Sequence, residues 1–317
     1  MRRTLTVLGV TALAVGAAGL LARFLPISNH ALLGAAVISP YLGLASFAAV
    51  VFLLLARRKV ISAIAVATAI ATVAVQLPLY MSDQYDPRSI RIRVMTVNLF
   101  LGQADPQAVV DRAKADADIV AVQELTRRAA RQLTAAGLDR AFPFQTLDAR
   151  PEASGTGLWS RYPISDVQSY KDYTHATLSA RIHVDGLAKD PTVFVAHIQG
   201  PWPESVDAWK REIDDVHPLL QRLANEAGTA CVIAAGDFND TLDTRNFRRL
   251  LSGGYRDAAE QSGAGITATY PANVSLPPLV AIDHVLTNRC SASSAKTAKI
   301  TGSDHRALLV RVEAPES

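Results

Sequence analysis

The sequence predicts an α/β fold in which two β-sheets pack as a sandwich flanked by helices, preceded by three transmembrane helices. Residues 1–80 carry few charges and contain three long apolar runs, whereas the rest of the chain has the mixed composition of a globular domain. In that second part, short apolar strands and helices alternate. Too many strands follow one another directly for a single doubly wound sheet, which favours a two-sheet arrangement.

The apolar runs predict a membrane anchor. They are Leu5–Leu25, Ala31–Ala56 and Val60–Tyr80. Each has about 20 residues, enough to cross a hydrocarbon core of roughly 30 Å. A cleaved signal peptide is the alternative interpretation of the first run, but two more full-length runs follow it. We therefore expect an anchor at 1–80, a polar linker at 81–89 and a catalytic domain at 90–317.

The cations that flank the runs predict the orientation of the anchor. Arg2 and Arg3 precede the first run and Arg57–Lys59 separate the second from the third, whereas Pro26–His30 contains no lysine or arginine. Positively charged loops remain in the cytoplasm. Three crossings then make the protein a multi-pass protein of the cell membrane with its catalytic domain on the extracytoplasmic side. Three arginines within 88–93 argue against this orientation.

Each element of the catalytic domain is predicted from a local signal. Strands are expected where apolar residues run together, and helices where apolar residues recur at helical spacing behind a capping residue. The predicted strands are Arg91–Asn98, Asp118–Gln123, Gly157–Ser160, Thr177–Val184, Thr192–His197, Ala230–Ala235, Ile282–Thr287 and Ala307–Val312. The predicted helices are Pro106–Ala115, Leu125–Ala136 and Glu204–Ala224. Asp105 is the expected N-cap of the first helix, and Gly137 ends the second.

Polar residues of the types used in catalysis lie at the ends of these strands. They are Asn98, Glu124, His197, Asp237, Asn239, Asp283, Asp304 and His305. In layered α/β folds, chemistry is usually done at one edge of a sheet, where strand ends meet. Taken singly, each residue has a structural alternative, such as a strand-end turn or a helix N-terminus. Taken together, they predict one catalytic cleft.

The segments around these residues resemble a known family. The segments are Thr96–Asn98, Val122–Glu124, Gly157–Arg161, Ala196–His197, Gly236–Asn239, Ile282–Asp283 and Ser303–His305. In this order they resemble the endonuclease/exonuclease/phosphatase superfamily, the DNase I-like metal-dependent phosphoesterases, over nearly all of 90–317. The resemblance implies a four-layer α/β sandwich whose two sheets place the strand ends around one cleft.

A divalent metal is expected from the donor types. Glu124 and Asn98 offer hard oxygen donors, with no cysteine or histidine pair nearby, which favours Mg²⁺ or Mn²⁺ over zinc. The resemblance implies that Glu124 is the main metal ligand, that Asn98 supports the metal or the phosphate, and that Asp304 is a second metal contact. Arg161 is interpreted as a phosphate-binding or structural residue.

The resemblance also implies the catalytic roles. Asp237 orients or deprotonates the attacking water, and Asn239 hydrogen-bonds the transition state. His305 binds the phosphate and is oriented by Asp283. His197 protonates the leaving group or contacts the phosphate. The remaining histidines of this domain match no motif: His183 and His217 are interpreted as surface or packing residues, His284 as a neighbour in the cleft wall, and His175 is given no role.

The chain has two cysteines, Cys231 and Cys290, too few for a disulfide scaffold or a cysteine-rich zinc site. They lie six residues before Asp237 and seven after Asp283. Antiparallel pairing of the two strands that carry them would place both sulfurs at a similar depth below the site. The sequence leaves a disulfide and two separate buried thiols open and favours the thiols.

Three functions are consistent with these patterns. The first is a membrane-tethered phosphoesterase acting on a lipid-linked phosphate, because the anchor keeps the cleft near the bilayer. The architecture and the segment Gly155–Pro163 resemble the VanJ-type membrane proteins linked to teicoplanin resistance, which implies undecaprenyl pyrophosphate or a related carrier of the cell envelope. The second is an extracellular Mg²⁺-dependent nuclease, although a net charge of +3 is small for a nucleic-acid surface. The third is a catalytically inactive scaffold.

Overall fold

The computed structural model describes residues 1–86, 88–203 and 205–316. The chain divides into two units. Unit 1 comprises Met1–Pro78 and Thr241–Arg249, and unit 2 comprises Leu79–Asp240 and Leu250–Ser317. Unit 1 thus includes a segment that follows directly on Asp240 in the predicted catalytic domain.

Helices and strands are named here in chain order. The α-helices are α1 Arg2–Ala22, α2 His30–Val37, α3 Ser39–Gly43, α4 Ala45–Leu55, α5 Lys59–Gln76, α6 Pro106–Asp116, α7 Arg127–Ala136, α8 Leu138–Ala141, α9 Val206–Ala227, α10 Arg245–Leu250 and α11 Ala258–Ser262. The strands are β1 Ile90–Asn98, β2 Ile119–Gln123, β3 Phe144–Asp148, β4 Thr156–Ser160, β5 Ile164–Tyr170, β6 Thr177–Ile182, β7 Thr192–His197, β8 Val232–Asp237, β9 Arg256–Asp257, β10 Asp283–Asn288, β11 Ser291–Lys299 and β12 Arg306–Ala314.

Within the described part of the chain, two apolar helices are long enough to cross a membrane, namely α1 and the helical stretch Lys59–Tyr80. The second predicted run is not one straight helix, because α2 and the helical stretch Ser39–Leu55 meet at an angle of 67°. Pro40 lies at the start of α3, where it lacks the amide that a continuous helix would need. The three predicted spans thus correspond to two helices of sufficient length and apolar character among the described residues, or to three if the bent pair crosses as one.

Small residues allow the helices of unit 1 to pack closely. A Cβ added at Gly9 would lie 2.6 Å from Leu53 Cγ, and one added at Gly19 would lie 2.6 Å from Leu42 Cβ. Such small-residue faces let helix backbones approach one another in membrane proteins. At the end of α1, the buried Arg23 pairs with Asp243 of the second segment of this unit.

Unit 2 is built on two six-stranded sheets. Their strand orders are β11-β12-β1-β2-β4-β3 and β5-β6-β7-β8-β10-β9. Apolar side chains of both sheets, such as Val94 and Ile119 of the first and Val193 and Ile233 of the second, share one buried core. The helices α6 and α7 cover the outer face of the first sheet, and α9 packs against the second. This is the predicted four-layer sandwich, and the prediction is confirmed.

The predicted strands and helices of unit 2 are present, with ends that differ by a few residues. Asp105 caps α6 by accepting hydrogen bonds from two backbone amides, and Gly137 ends α7 with a φ of 95°. Glu204, the predicted first residue of the long helix, lies outside the described residues; the described helix α9 begins at Val206. Four further strands were not predicted from the sequence, namely β3, β5, β9 and β11.

Cys231 and Cys290 form a disulfide, with their Cα atoms 5.3 Å apart. The preference for two separate thiols was therefore wrong. The strand pairing explains the contact, since β8 and β10 are antiparallel and Asp283 lies opposite Asp237. The bridge ties the two strands together at the end away from these acids.

The chain that leaves the helical stretch Lys59–Tyr80 is fixed to unit 2. The backbone amide of Gly265 donates to the carbonyl of Leu79 at 2.7 Å, and the amide of Asp83 donates to the carbonyl of Gln261 at 2.7 Å. Asp83 also pairs with Arg256. The start of the expected linker is thus bonded to the segment 261–265 of the same unit; Pro87, within that linker, lies outside the described residues.

Candidate active site

The strand ends of both sheets meet at one place. In the second sheet, His197 of β7 lies in register with Asp237 of β8, which in turn lies opposite Asp283 of β10. In the first sheet, Asn98 ends β1 in register with the last residue of β2, and Glu124 follows that residue. These residues are the predicted ones, and the fold brings them together.

Gly236 sets the spacing between β7 and β8. A Cβ added at this position would lie 1.9 Å from the carbonyl oxygen of Ala196 on the neighbouring strand. Only glycine leaves room for such a close approach of two backbones. Glycine is therefore needed at position 236 for a structural reason, because its lack of a side chain keeps His197 and Asp237 side by side.

Asn98 links the carboxylates of the two sheets. Its side-chain amide donates to Glu124 Oε1 at 3.0 Å and to Asp237 Oδ2 at 3.0 Å. Its Oδ1 accepts the backbone amide of Phe100 at 2.9 Å. Every polar atom of the side chain is engaged, so its orientation is fixed and it holds Glu124 and Asp237 at a set distance from each other.

The Asp237 carboxyl is suited to take a proton near neutral pH. Burial raises the pKa of Asp237, the neighbouring Asp283 carboxylate raises it further, and together they bring it to about 7. The hydrogen bonds from Asn239 and Asn98 and the charge of His305 oppose this shift. A general base works best when its pKa lies near the operating pH, so a pKa of about 7 suits Asp237 to act as a base at neutral pH.

His305 is a cation held by acids. Its Nδ1 lies 2.8 Å from Asp283 Oδ2, and its Nε2 lies 3.8 Å from Asp237 Oδ2. Burial opposes the imidazolium, but the carboxylates of Asp283 and Asp237 outweigh this effect and raise the pKa of His305 to about 10. Ser303 Oγ accepts the backbone amide of His305 at 3.0 Å and donates to the carbonyl of Asn98 at 2.8 Å. The ring is therefore charged and firmly oriented.

Asn239 lies against the same carboxylate. Its backbone amide donates to Asp237 Oδ1 at 2.9 Å, and its side-chain amide donates to the carbonyl of Ile198 at 2.8 Å. Its carbonyl accepts a hydrogen bond at 3.1 Å from the indole N–H of Trp209, a fully buried residue of α9. The φ of Asn239 is 49°, a left-handed conformation that asparagine adopts more readily than most residues.

Glu124 and Asp304 form a second acidic group. The carboxylate of Glu124 accepts the side-chain amide of Asn98 and the backbone amide of Leu101. Burial raises the pKa of Glu124, and the charge of Asp304 adds to the shift. Burial likewise raises the pKa of Asp304, whose Oδ1 has no hydrogen-bond partner among the described residues. Two half-buried carboxylates, one of which has an oxygen without a hydrogen-bond partner in the described part of the chain, suit a hard divalent cation such as Mg²⁺ or Mn²⁺.

Asp237, Asp283 and His305 also place one ligand atom each within 4.8 Å of one another. In that group, however, His305 already bonds Asp283. The described residues thus present two clusters of potential metal ligands, and each contains a carboxylate oxygen without a hydrogen-bond partner, Oδ1 of Asp283 in the first and Oδ1 of Asp304 in the second.

His175 and Glu212 lie beside these residues but were not predicted from the sequence. The imidazole of His175 stacks on that of His197, with ring centroids 4.0 Å apart. Burial lowers the pKa of both, that of His197 well below its usual value, so a neutral His197 is better suited to contact phosphate than to donate a proton. Glu212 accepts the backbone amides of Thr174 and Gln199, next to the two histidines. The signal in the sequence that could have identified Glu212 is an acidic residue on the apolar, buried face of α9.

Arg161 is not brought into this cluster. Its guanidinium donates to the carbonyls of Ala117 and Lys114 at 3.0 and 2.9 Å and lies over the ring of Phe142. Since β2 and β4 are antiparallel, Arg161 follows the end of β4 that lies beside Ile119, at the opposite end of β2 from Glu124. The geometry supports the structural alternative over phosphate binding.

The chain was compared with known proteins. A protein-family model described as "Endonuclease/Exonuclease/phosphatase family" matches residues 95–305. No curated protein matches the chain.

Solved structures similar to the chain share its fold at low identity. An endonuclease/exonuclease/phosphatase from Bacteroides vulgatus has a TM-score of 0.57 and 16% identity, covering 71% of this chain and 99% of that one. TDP2 from D. rerio, in complex with a single-strand DNA product, has a TM-score of 0.56 and 16% identity, with the same coverage of 71% and 99%. A functionally unknown conserved protein from Enterococcus faecalis has a TM-score of 0.57 and 13% identity, covering 70% and 100%.

Substitution of Gly236 should disturb the site through the backbone. We expect Gly236→Ala to lower the free energy of unfolding by about 1–3 kcal/mol, the usual cost of overpacking, because its Cβ meets a backbone oxygen of β7. Thermal unfolding of the full-length protein in detergent measures this. Gly200→Ala is the matched control, since its added Cβ would have its nearest neighbour at 3.5 Å. Equal stability of both variants would contradict the proposed role of Gly236.

Proposed function

Because the chain belongs to the endonuclease/exonuclease/phosphatase family, we propose that it is a membrane-anchored phosphoesterase that hydrolyses a lipid-linked phosphate ester or pyrophosphate. Members of this family are metal-dependent phosphoesterases, and the chain is a metal-dependent hydrolase of that kind. The bridge made by Asn98 between Glu124 and Asp237 is the observation that carries the proposal, because it sets a metal-binding acid beside a base.

Each residue of the site has its own role in the proposed reaction. Asp237 takes the proton of the attacking water at its carboxylate, since its pKa lies near 7. The imidazolium of His305, held by Asp283, binds the phosphoryl oxygens. Asn239 lies against Asp237 and hydrogen-bonds the same phosphoryl group as charge builds up on it. His197 contacts the phosphate as a neutral hydrogen-bond partner.

Glu124 and Asp304, supported by Asn98, would hold the divalent metal. A bound Mg²⁺ or Mn²⁺ supplies charge neutralisation for the phosphoryl oxygens and the leaving group. The unsatisfied Oδ1 of Asp304 supports this assignment.

A lipid-linked substrate is supported by the apolar helices of the same chain. They keep the enzyme at a membrane, where lipid-borne phosphates are concentrated. The resemblance to VanJ-type proteins extends the proposal to undecaprenyl pyrophosphate or a similar carrier of the cell envelope, with a role in antibiotic resistance. The rival is a nuclease, since TDP2 from D. rerio, of similar fold, was solved with a DNA product. A net charge of +3 gives that rival little electrostatic support.

An extracytoplasmic catalytic domain is supported by the disulfide of Cys231 and Cys290, because such bridges persist in oxidising compartments. Of the arginines that argued against this side, Arg91 pairs with Glu313 and Arg93 with Asp118. They belong to a folded domain, and large domains cross membranes largely regardless of their charge. This orientation requires the bent helix pair to cross as one span.

Loss of the base should abolish turnover without loss of fold. We expect Asp237→Asn to reduce phosphate release by about 10²–10⁴-fold, the range for removal of a general base. Full-length protein in detergent is assayed on a lipid pyrophosphate, phospholipids and DNA. Asp185→Asn, at a side chain that is 98% exposed, is the control.

Turnover of DNA alone in this panel would favour the nuclease. Retained turnover by Asp237→Asn would refute the assignment of the base.

Metal binding should depend on the acid of the first sheet. We expect Glu124→Gln to weaken Mn²⁺ binding by at least about tenfold, because it removes a charged ligand. Isothermal titration calorimetry of the full-length protein measures the affinity, with Asp185→Asn as the control. Binding by neither the native protein nor the variants would support the inactive scaffold. Unchanged binding by Glu124→Gln would place the metal elsewhere, in the group of Asp237, Asp283 and His305.

The side of the membrane is measured by cysteine labelling in intact cells. The native cysteines are paired, so single cysteines can be introduced at exposed positions. We expect a membrane-impermeant maleimide to label Asp185→Cys in intact cells and Lys59→Cys only after lysis. Labelling of Lys59→Cys in intact cells and of Asp185→Cys only after lysis would show that the bent pair does not cross the membrane, and labelling of both in intact cells would show that Lys59–Tyr80 does not cross it.

A further inference from the structure

A long loop before Asp283 carries no charge. From Gln261 to Ile282 the sequence contains no acidic, basic or histidine residue. Within it, Tyr270 and Val280 pair through backbone hydrogen bonds and close a hairpin, named here the 270–280 hairpin. Its exposed apolar side chains are Val274, Leu276 and Leu279, with 51%, 69% and 47% of their surface accessible. An uncharged exposed tip of this kind marks an interaction surface.

The hairpin is fixed to the catalytic residues. The backbone amide of Ala272 donates to the carbonyl of Asp304 at 2.6 Å, and the amide of Arg306 donates to the carbonyl of Thr269 at 2.9 Å. The ring of Tyr270 lies 5.0 Å from that of His305. The base of the hairpin is therefore held beside the active-site residues Asp304 and His305.

The other end of the loop is fixed where an apolar helix ends. Gly265 donates to the carbonyl of Leu79, within the helical stretch Lys59–Tyr80. From Gly265 to Tyr270 the chain spans at most about 17 Å, even when fully extended. Tyr270, at the base of the hairpin, thus lies within about 17 Å of Gly265. Gly265 itself is bonded to Leu79, at the end of a candidate membrane span. Tyr80 is the type of residue that lies at the interface of a bilayer.

We propose that the tip of the 270–280 hairpin inserts into the lipid interface and brings the active site to phosphates at the membrane surface. The partner is the bilayer itself. Its hydrocarbon removes Val274, Leu276 and Leu279 from water, and the absence of charge within 261–282 leaves no ion to dehydrate. This inference deepens the proposed function and rests on it for the substrate, but insertion is measured without any substrate.

Insertion is tested by fluorescence. Leu276→Cys carries an environment-sensitive fluorophore in the full-length protein, reconstituted into phosphatidylcholine vesicles with or without nitroxide-labelled lipid. We expect blue-shifted emission that the nitroxide lipid quenches and aqueous iodide does not. Val167→Cys is the matched control, an aliphatic residue of β5 with 46% exposure, and it should show the reverse. Equal iodide quenching at both positions would overturn the proposal.

Two further outcomes also count against it. A fluorophore at Leu276→Cys that is shielded from iodide but not quenched by nitroxide lipid would indicate a protein partner. Shielding that disappears on dilution of the protein in the vesicles would indicate a second copy of the chain.

The effect on turnover is measured separately. Leu276→Glu should lower the ratio of turnover on a lipid phosphate in vesicles to turnover on a soluble phosphodiester by about tenfold, the scale of losing one buried apolar side chain. Val167→Glu should leave that ratio as in the native protein. An unaltered ratio in Leu276→Glu would overturn the link to substrate. Insertion without turnover of any lipid phosphate would instead refute the proposed function and leave the membrane contact standing.

Discussion

The site depends on two hydrogen bonds from one side chain. The amide of Asn98, on the first sheet, reaches both Glu124 of its own sheet and Asp237 of the other. Asp237 is buried and Glu124 is half-buried, and each would repel a second carboxylate at close range without a donor between them. The amide supplies that donor, because it carries two hydrogens and no charge. The distance between the proposed metal ligand Glu124 and the proposed base Asp237 is therefore set by the packing of the two sheets.

Burial gives these acids and histidines different protonation behaviour. Asp237 loses water and gains the neighbouring Asp283, so its pKa rises to about 7. His305 loses water too, but it lies between those carboxylates and remains a cation. His197, beside another imidazole instead of a carboxylate, becomes neutral. The same fold thus places a base, a cation and a neutral donor within one cluster, as phosphoester hydrolysis requires.

Much of this could be predicted from the sequence, because the site residues follow buried strands whose apolar runs are easy to recognise. The sequence could not indicate β11, whose small and polar residues lack the β-branched pattern and which forms an edge strand. Nor could it show the bend at Pro40, since the apolar run continues through it. His175 precedes its strand and was missed, because only the fold places its ring on His197. Arg161 follows a strand as well, but at the opposite end of the sheet.

The covalent bridge between Cys231 and Cys290 has a practical consequence for anyone producing this enzyme. It fastens the neighbouring strands that bear Asp237 and Asp283 at their far ends. In a reducing cytosol this disulfide would not form, and β8 and β10 would be able to separate from that end towards the catalytic acids. Recombinant material is best exported to an oxidising compartment before purification, so that kinetic comparisons between variants start from one cross-linked species.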